Sequence, residues 1–305
     1  MTRSKSKSNK TTTSYKTPID LSFGYQNIDG IHSPSFGCKL PYLHSKFTHD
    51  FEILSESWGH RIHEKNVTGY KLICDIPPHK KMGVKKGTAS GGILIFSKEE
   101  QAKYVETAKK TPRYVWIIIN KSVFHNLKKS VKICVAYNPP ENSKYCNKDF
   151  FSDLSQDLLQ TSNNNSPLIL LGDLNARVGE LPDYEEIEEK YLEYTIGRKT
   201  FPTRRKNWDK TVNNMGQKLL EFCKSHDLQI LNGRSIGDTS GSLTFYDTRN
   251  GGSAIDVAIA SDPIVNEVKS FTVNNPTEYS SHCKIELRLK NILAIPEKED
   301  NENYS

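Results

Sequence analysis

Cysteine is scarce and scattered in this 305-residue chain. Its six residues, Cys38, Cys74, Cys134, Cys146, Cys223 and Cys283, include no CxxC pair and no nearby histidine pair at zinc-ligand spacing. A zinc knuckle is therefore not expected. Cys74 and Cys134 lie inside the apolar runs KLICDI and VKICVAY, where a free thiol behaves as a small buried hydrophobe, so a reducing, intracellular compartment is expected. Long apolar runs are missing too: none approaches the ~20 residues that span a bilayer, and no apolar core follows the N-terminus as in a signal peptide. No membrane partner is expected. Acid is absent from the first sixteen residues, which hold Arg3, Lys5, Lys7, Lys10 and Lys16. They supply most of the formal net charge of +6, so that charge supports a polyanionic partner only weakly.

What is present is an ordinary globular composition, 35% hydrophobic and 26% charged, with no shift midway along the chain. One domain is expected over 18–292. The basic segment 1–17 before it reads as a solvated tail, with a nuclear address or a nucleic-acid-binding arm as the alternative, and an acidic tail follows at 293–305. Period-two runs predict about a dozen strands, at 21–25, 51–54, 70–76, 91–96, 115–119, 131–137, 168–171, 228–231, 243–246, 255–259, 268–273 and 284–289. Helical spacing predicts segments at 41–49, 148–160 and 215–226. Many short strands with a few interposed helices suggest an α/β sandwich, two sheets face to face with helices outside them. The charged stretches 79–86, 185–189 and 198–210 read as solvated surface loops.

The strongest local signal is LILLGDLNARVG, where an apolar strand delivers Asp173 and Asn175 at its carboxyl end. Residues two apart in a strand share a face, and a carboxylate beside an amide can orient water against a phosphate. An Asx turn ending a strand explains the same letters. In FEILSESW a strand ends in Glu56, a candidate ligand for a hard divalent cation. In YSSHCKIELRL His282 precedes a strand and could stabilise a phosphoryl centre or exchange a proton, and Asp256 interrupts the apolar SAIDVAIAS, where a buried carboxylate needs a partner such as an imidazole. Asn27 in FGYQNIDG, Tyr137 in VKICVAYNPP and Thr244 in SLTFYD each, taken alone, have a stronger structural reading as turn, packing and strand residues.

In this order and spacing, over about 18–292, the chain resembles the endonuclease/exonuclease/phosphatase superfamily. The segments ASGGILIF, VAYNPPENS, GDLNARVG and NNMGQKLLEFCKSHDLQILNGRSIGD look like the apurinic-type endonuclease domains of animal non-LTR (LINE-type) retrotransposons. The resemblance implies a four-layer α/β sandwich, two mixed β-sheets flanked by helices (DNase I-like). It implies Mg2+, or Mn2+, held by Glu56 with Asn27 alongside. Asp173 would orient or deprotonate the attacking water and Asn175 position it. Tyr137 would contact a phosphate oxygen, Asp256 would fix the tautomer of His282, and His282 would stabilise the transferred phosphoryl group. Thr244 and Arg177 are expected on the substrate side, Thr244 as a supporting hydrogen-bond partner.

The family pattern ends in Ser-Asp-His, whereas this chain reads Ser280-Ser281-His282, which removes one anionic ligand and should raise the magnesium requirement. The implied function is an endonuclease that nicks DNA to leave a 3′-hydroxyl, acting as a monomer in the nucleus. A reverse transcriptase domain in a longer parent protein is an expected partner. A phosphatase acting on a small phosphoester, or a DNA-binding relic disabled at Ser281, are the alternatives.

Overall fold

The computed structural model describes residues 17–35, 37–59, 67–79, 90–161, 167–185, 204–247 and 251–294. The basic segment before Thr17 and the acidic one from 295 onward lie outside the described residues. So do 80–86, 186–189 and 198–203 of the charged stretches.

Two six-stranded sheets form the body. The first runs β15 (Val268–Val273), β16 (Ile285–Leu293), β1 (Ile19–Asn27), β4 (Phe51–Ser55), β6 (Ile93–Lys98), β5 (Tyr70–Ile76). The second runs β11 (Leu228–Ile230), β14 (Asp256–Ser261), β10 (Leu168–Asp173), β9 (Val131–Tyr137), β8 (Tyr114–Ile119), β7 (Val105–Lys110). Both sheets are mixed, because β1 and β4 pair in parallel, as do β9 and β10, while the other neighbours are antiparallel. Two-stranded ribbons add β2 (His32–Ser33) with β3 (Gly37–Cys38), and β12 (Phe245–Asp247) with β13 (Gly251–Ser253).

Alternate residues of the central strands point into one core between the sheets: Leu21, Phe23 and Tyr25 from β1 meet Val131, Ile133 and Val135 from β9 and Ile169 and Leu171 from β10. The intervening residues of the second sheet, Cys134, Leu168, Leu170 and Ile259 among them, face outward under α3 (Phe150–Thr161) and α4 (Asn214–Ser225). This is why these strands read as continuous apolar runs. The outer face of the first sheet is covered more thinly, by α1 (Leu40–His44) and the loop around it, with Leu54, Leu94 and Phe96 beneath. The short helices α2 (Glu99–Ala102) and α5 (Asp262–Val265) close the edges. The architecture is the expected layered sandwich.

Three expectations change. The helix expected over 41–49 ends at His44, because the backbone N–H groups of Thr48 and His49 donate to Glu52 Oε1 instead of continuing the helical ladder. Strand β7 was not expected: VETAKK has no apolar alternation, and its lysines suit an exposed sheet edge. The folded part also extends past 292, since Leu293 pairs with Ile19 and both Leu293 and Ala294 are buried.

The topology creates one functional end. Parallel pairing brings the carboxyl ends of β1, β4, β9 and β10 together, and the antiparallel β14 and β16 begin at that same end. Every strand terminus singled out in the sequence opens there.

Candidate active site

At this end lies a cleft of about 550 Å3, lined by Asn27, Asp29, Glu56, Tyr137, Asp173, Asn175, Arg177, Phe245, His282 and neighbours. The loops leaving β1 and β4 are zipped together past their strands, through Ile28 N to Ser55 O, Gly30 N to Glu56 O and Ile31 N to Ser57 O. Trp58 packs so closely on Gly30 that a Cβ there would sit 2.5 Å from the ring. This zipper sets Asp29 and Glu56 side by side. Both have left-handed backbones, at φ 46° and 53°, and so does Asn175 at 49°. That conformation is easy for Asp and Asn but costs a glutamate about 1–2 kcal/mol, the kind of strain that clusters at functional sites.

Asp173 is the hub. Asn27 Nδ2 donates to its Oδ2 at 2.9 Å, and Asn175 donates to its Oδ1 through both backbone N (3.1 Å) and Nδ2 (3.0 Å). Its own N–H donates to the Tyr25 hydroxyl at 2.7 Å, which in turn contacts Ser55 Oγ at 2.7 Å, tying the two sheets together under the site. Burial first, then the charge of Asp256, push the Asp173 carboxyl above the ordinary range.

His282 faces Asp173, with Nε2 3.9 Å from its Oδ2, and is held from behind by Asp256 Oδ2 at 2.9 Å from Nδ1. Burial disfavours its charge, but Asp256 and then Asp173 outweigh that and raise its pKa to about 10. Phe245 packs on the imidazole with ring centroids 4.8 Å apart. Asp173, Asp256 and His282 together offer ligand-type atoms within 4.8 Å of one another, but the Nδ1 contact makes Asp256 and His282 a hydrogen-bonded pair first.

The structure brings Asn27, Glu56, Tyr137, Asp173, Asn175, Arg177 and His282 to the cleft wall, with Asp256 behind His282. Two expectations shift in detail. Thr244 keeps its expected supporting hydrogen bonds, its Oγ1 accepting from the backbone N–H groups of Ile255 (3.0 Å) and Asp256 (2.9 Å), but it is wholly buried behind the cleft wall and is not among the residues that line the cleft. Asn27 bridges the site, since its Nδ2 serves Asp173 and its Oδ1 accepts from Asp29 N at 3.1 Å.

Sequence reasoning missed Asp29, Tyr25 and Lys39. Asp29 sits two residues from Asn27 in the NIDG segment, where Asp-Gly reads as a turn. Lys39 is buried, and its Nζ donates to Ile28 O at 2.7 Å and Asp29 O at 3.3 Å, pinning the Asp29 loop; nothing in FGCKLPYL announces this. Ser281 also has a place: both its N–H (2.9 Å) and its hydroxyl donate to Asp29 Oδ2. The serine fixes Asp29 where a second carboxylate would repel it.

The donor set fits a hard divalent cation. Asp29 and Glu56 supply only oxygen ligands, as magnesium prefers. Burial, then Asp173 and Asp29, push the Glu56 pKa up to about 8 against the opposing His282 charge, as expected where carboxylates crowd a buried site.

The sandwich is a DNase I-like fold. The model of the endonuclease/exonuclease/phosphatase family matches residues 53–282, so the chain belongs to that family. Its fold is shared with AP endonuclease LMAP from Leishmania major (TM-score 0.61, 13% identity, 89% of this chain and 88% of that one). The catalytic domain of Xenopus laevis APE2 is similar as well (0.61, 16%, 92% and 94%). So is the endonuclease domain of TRAS1, a telomere-specific non-LTR retrotransposon (0.54, 13%, 88% and 98%). No curated protein matches the chain significantly.

Proposed function

We propose that the chain is a magnesium-dependent phosphodiesterase that nicks duplex DNA and leaves a 3′-hydroxyl. The observation that carries this reading is Asp173 facing His282 across 3.9 Å, each held from behind, beside the paired carboxylates Asp29 and Glu56. Manganese is the alternative metal. The DNA substrate draws on the proteins that share the fold, among them an AP endonuclease, a retrotransposon endonuclease domain and a Neisseria 3′ phosphatase bound to a product DNA hairpin. The LINE-type segments of the sequence favour the retrotransposon kind, with residence in the nucleus.

Asp173, its pKa raised, accepts a proton from the attacking water, which Asn175 orients from the same carboxylate. His282, kept protonated by Asp256, donates Nε2–H to a non-bridging phosphate oxygen and stabilises the charge that develops there. Tyr137, at the cleft wall, contacts another phosphate oxygen. Asp29 and Glu56 would hold the cation, which when bound neutralises phosphate charge and stabilises the leaving oxygen.

The test is nicking of supercoiled plasmid across a magnesium series, beside Asp173→Ala and His282→Ala. Magnesium-dependent nicks that a DNA polymerase can extend, absent from both variants, support the proposal. Folded protein that nicks at no magnesium or manganese level refutes it, and turnover of a small phosphoester by that protein would point to a phosphatase.

A further inference from the structure

The cleft is built to meet a polyanion, yet it is rich in acid. Asp29, Glu56, Glu141, Asp173 and Asp247 line it, and among the described lining residues Arg177 is the sole lysine or arginine. Its side chain is 33% exposed, and it is held with unusual care. Nε donates to Asp209 Oδ2 at 2.7 Å and Nη2 to Asp209 Oδ1 at 2.6 Å, a side-on pair that uses two of the five guanidinium donors and leaves the opposite edge for another acceptor.

Asp209 cannot swing away. It is buried, and its two oxygens also accept from Thr211 N (3.1 Å) and Ala254 N (3.2 Å). The backbone of Arg177 is clamped as well: its N–H donates to Asn213 Oδ1 at 3.0 Å, its carbonyl accepts from Asn213 N at 3.0 Å, and Gly216 leaves no room for a Cβ beside that carbonyl. A cation fixed at both ends, a few residues past Asp173 in the same loop, is a preorganised anion contact.

We propose that Arg177 binds a backbone phosphate next to the scissile one, and that Asp209 is the positioning residue that presents the guanidinium edge. The inference rests on the nuclease reading above and extends it to how the strand is gripped. A neighbouring phosphate changes no charge during the reaction, so the contact is the same in ground and transition states and acts on KM more than on kcat. A planar fork suits this task, because a lysine could satisfy Asp209 or the phosphate but not both with the same geometry.

The test uses the full chain with a fluorescent DNA duplex and supercoiled plasmid. Arg177→Met should raise KM about tenfold or more while kcat stays within about threefold, as loss of one charged hydrogen-bonded contact implies. It should also flatten the slope of log affinity against log salt by about 0.9, one phosphate contact. Arg177→Lys should restore the salt slope but not the full KM. Asp209→Asn should raise KM several-fold with the slope intact, since the arginine charge remains. If Arg177→Met lowers the melting temperature but leaves KM and salt slope at wild-type values, the pair is only a structural tie and the inference falls while the nuclease reading stands. If wild-type protein neither binds nor nicks duplex DNA, the nuclease reading fails and takes this inference with it. Should Asp209→Asn not fold, the two Arg177 variants decide the matter.

Discussion

Replacing Asp256 with asparagine should move the alkaline limit of activity without dismantling the site. The asparagine is isosteric, so its Oδ1 can still accept from His282 Nδ1 across the 2.9 Å contact. What disappears is the negative charge. A hydrogen bond to a charged group is worth about 1.5–3 kcal/mol against 0.5–1.5 for a neutral one, so the typical loss is about 1 kcal/mol. The Coulomb energy of unit charges 4 Å apart, at an effective dielectric of about 20, gives a larger figure of about 4 kcal/mol. At 1.36 kcal/mol per unit, the His282 pKa should fall by about one to three units from its wild-type value of about 10.

The sign follows from the direction of the shift. A histidine with a raised pKa is protonated below it, so the imidazolium needed at the phosphate is lost as pH rises through that value. In Asp256→Asn this loss begins one or more units lower. Plasmid nicking rates between pH 6 and 10, at saturating magnesium, are the assay. Near pH 6 the variant should approach wild type, and the gap should widen as pH climbs. Asp256 Oδ1 has no partner among the described residues, so the new amide can leave a buried donor unpaired there, at about 1–3 kcal/mol, and rates must be taken well below the melting temperature. An alkaline limb that stays where it is in wild type refutes the assignment of His282 as the protonated group.

Three further outcomes test the frame around the site. Gly172→Ala should destabilise by about 1–3 kcal/mol or more, read as a lower urea midpoint, because its Cβ would lie 2.2 Å from the Ala136 carbonyl of the neighbouring strand. Asp183→Ala should cost about 3–5 kcal/mol in the same assay: the buried carboxylate accepts from Arg234 Nη2 and Ile230 N, both at 2.7 Å, and faces the buried Arg205, so its removal strands two arginines. The buried His49, between Glu52 Oε1 at 2.8 Å and Glu286 Oε2 at 3.2 Å, should shape stability against pH. Burial opposes its charge but contact with Glu286 and Glu52 raises its pKa, while hydrogen bonding with His49 lowers that of Glu286 to about 2. The histidine's contribution is complete below its ordinary 6.5 and fades above it; that of Glu286 is complete above its ordinary 4.5 and fades toward pH 2. The melting-temperature gap between wild type and His49→Gln should therefore peak between those values, and a gap that is flat with pH counts against the cluster.

What the sequence discloses about such a site depends on where each residue sits in its element. Asp173, Asn175, Glu56 and His282 stand at strand ends, where an apolar run breaks into polar letters, and strand periodicity marks such breaks. Tyr25 and Lys39 give no such mark. Tyr25 lies mid-strand and reads as core, yet its hydroxyl receives the Asp173 N–H from the opposite sheet, a contact set by how two sheets pack and not by any local pattern. Strand β7 stayed hidden for the converse reason, since lysines protect a sheet edge and erase the alternation that would announce it.

Asp209 shows the strongest form of this limit. It lies in a charged stretch whose sensible local reading is a solvated loop, and its neighbours Trp208 and Lys210 are indeed exposed. Burial of that one side chain follows from long-range partners, Arg177 and the Ala254 N–H, 32 and 45 residues away. A buried carboxylate saturated with donors is stable only if the chain around it folds to supply them, so its role is written in the tertiary structure. Positions that react directly can be read from strand ends, whereas positions that hold those groups in place are read from what the fold brings beside them.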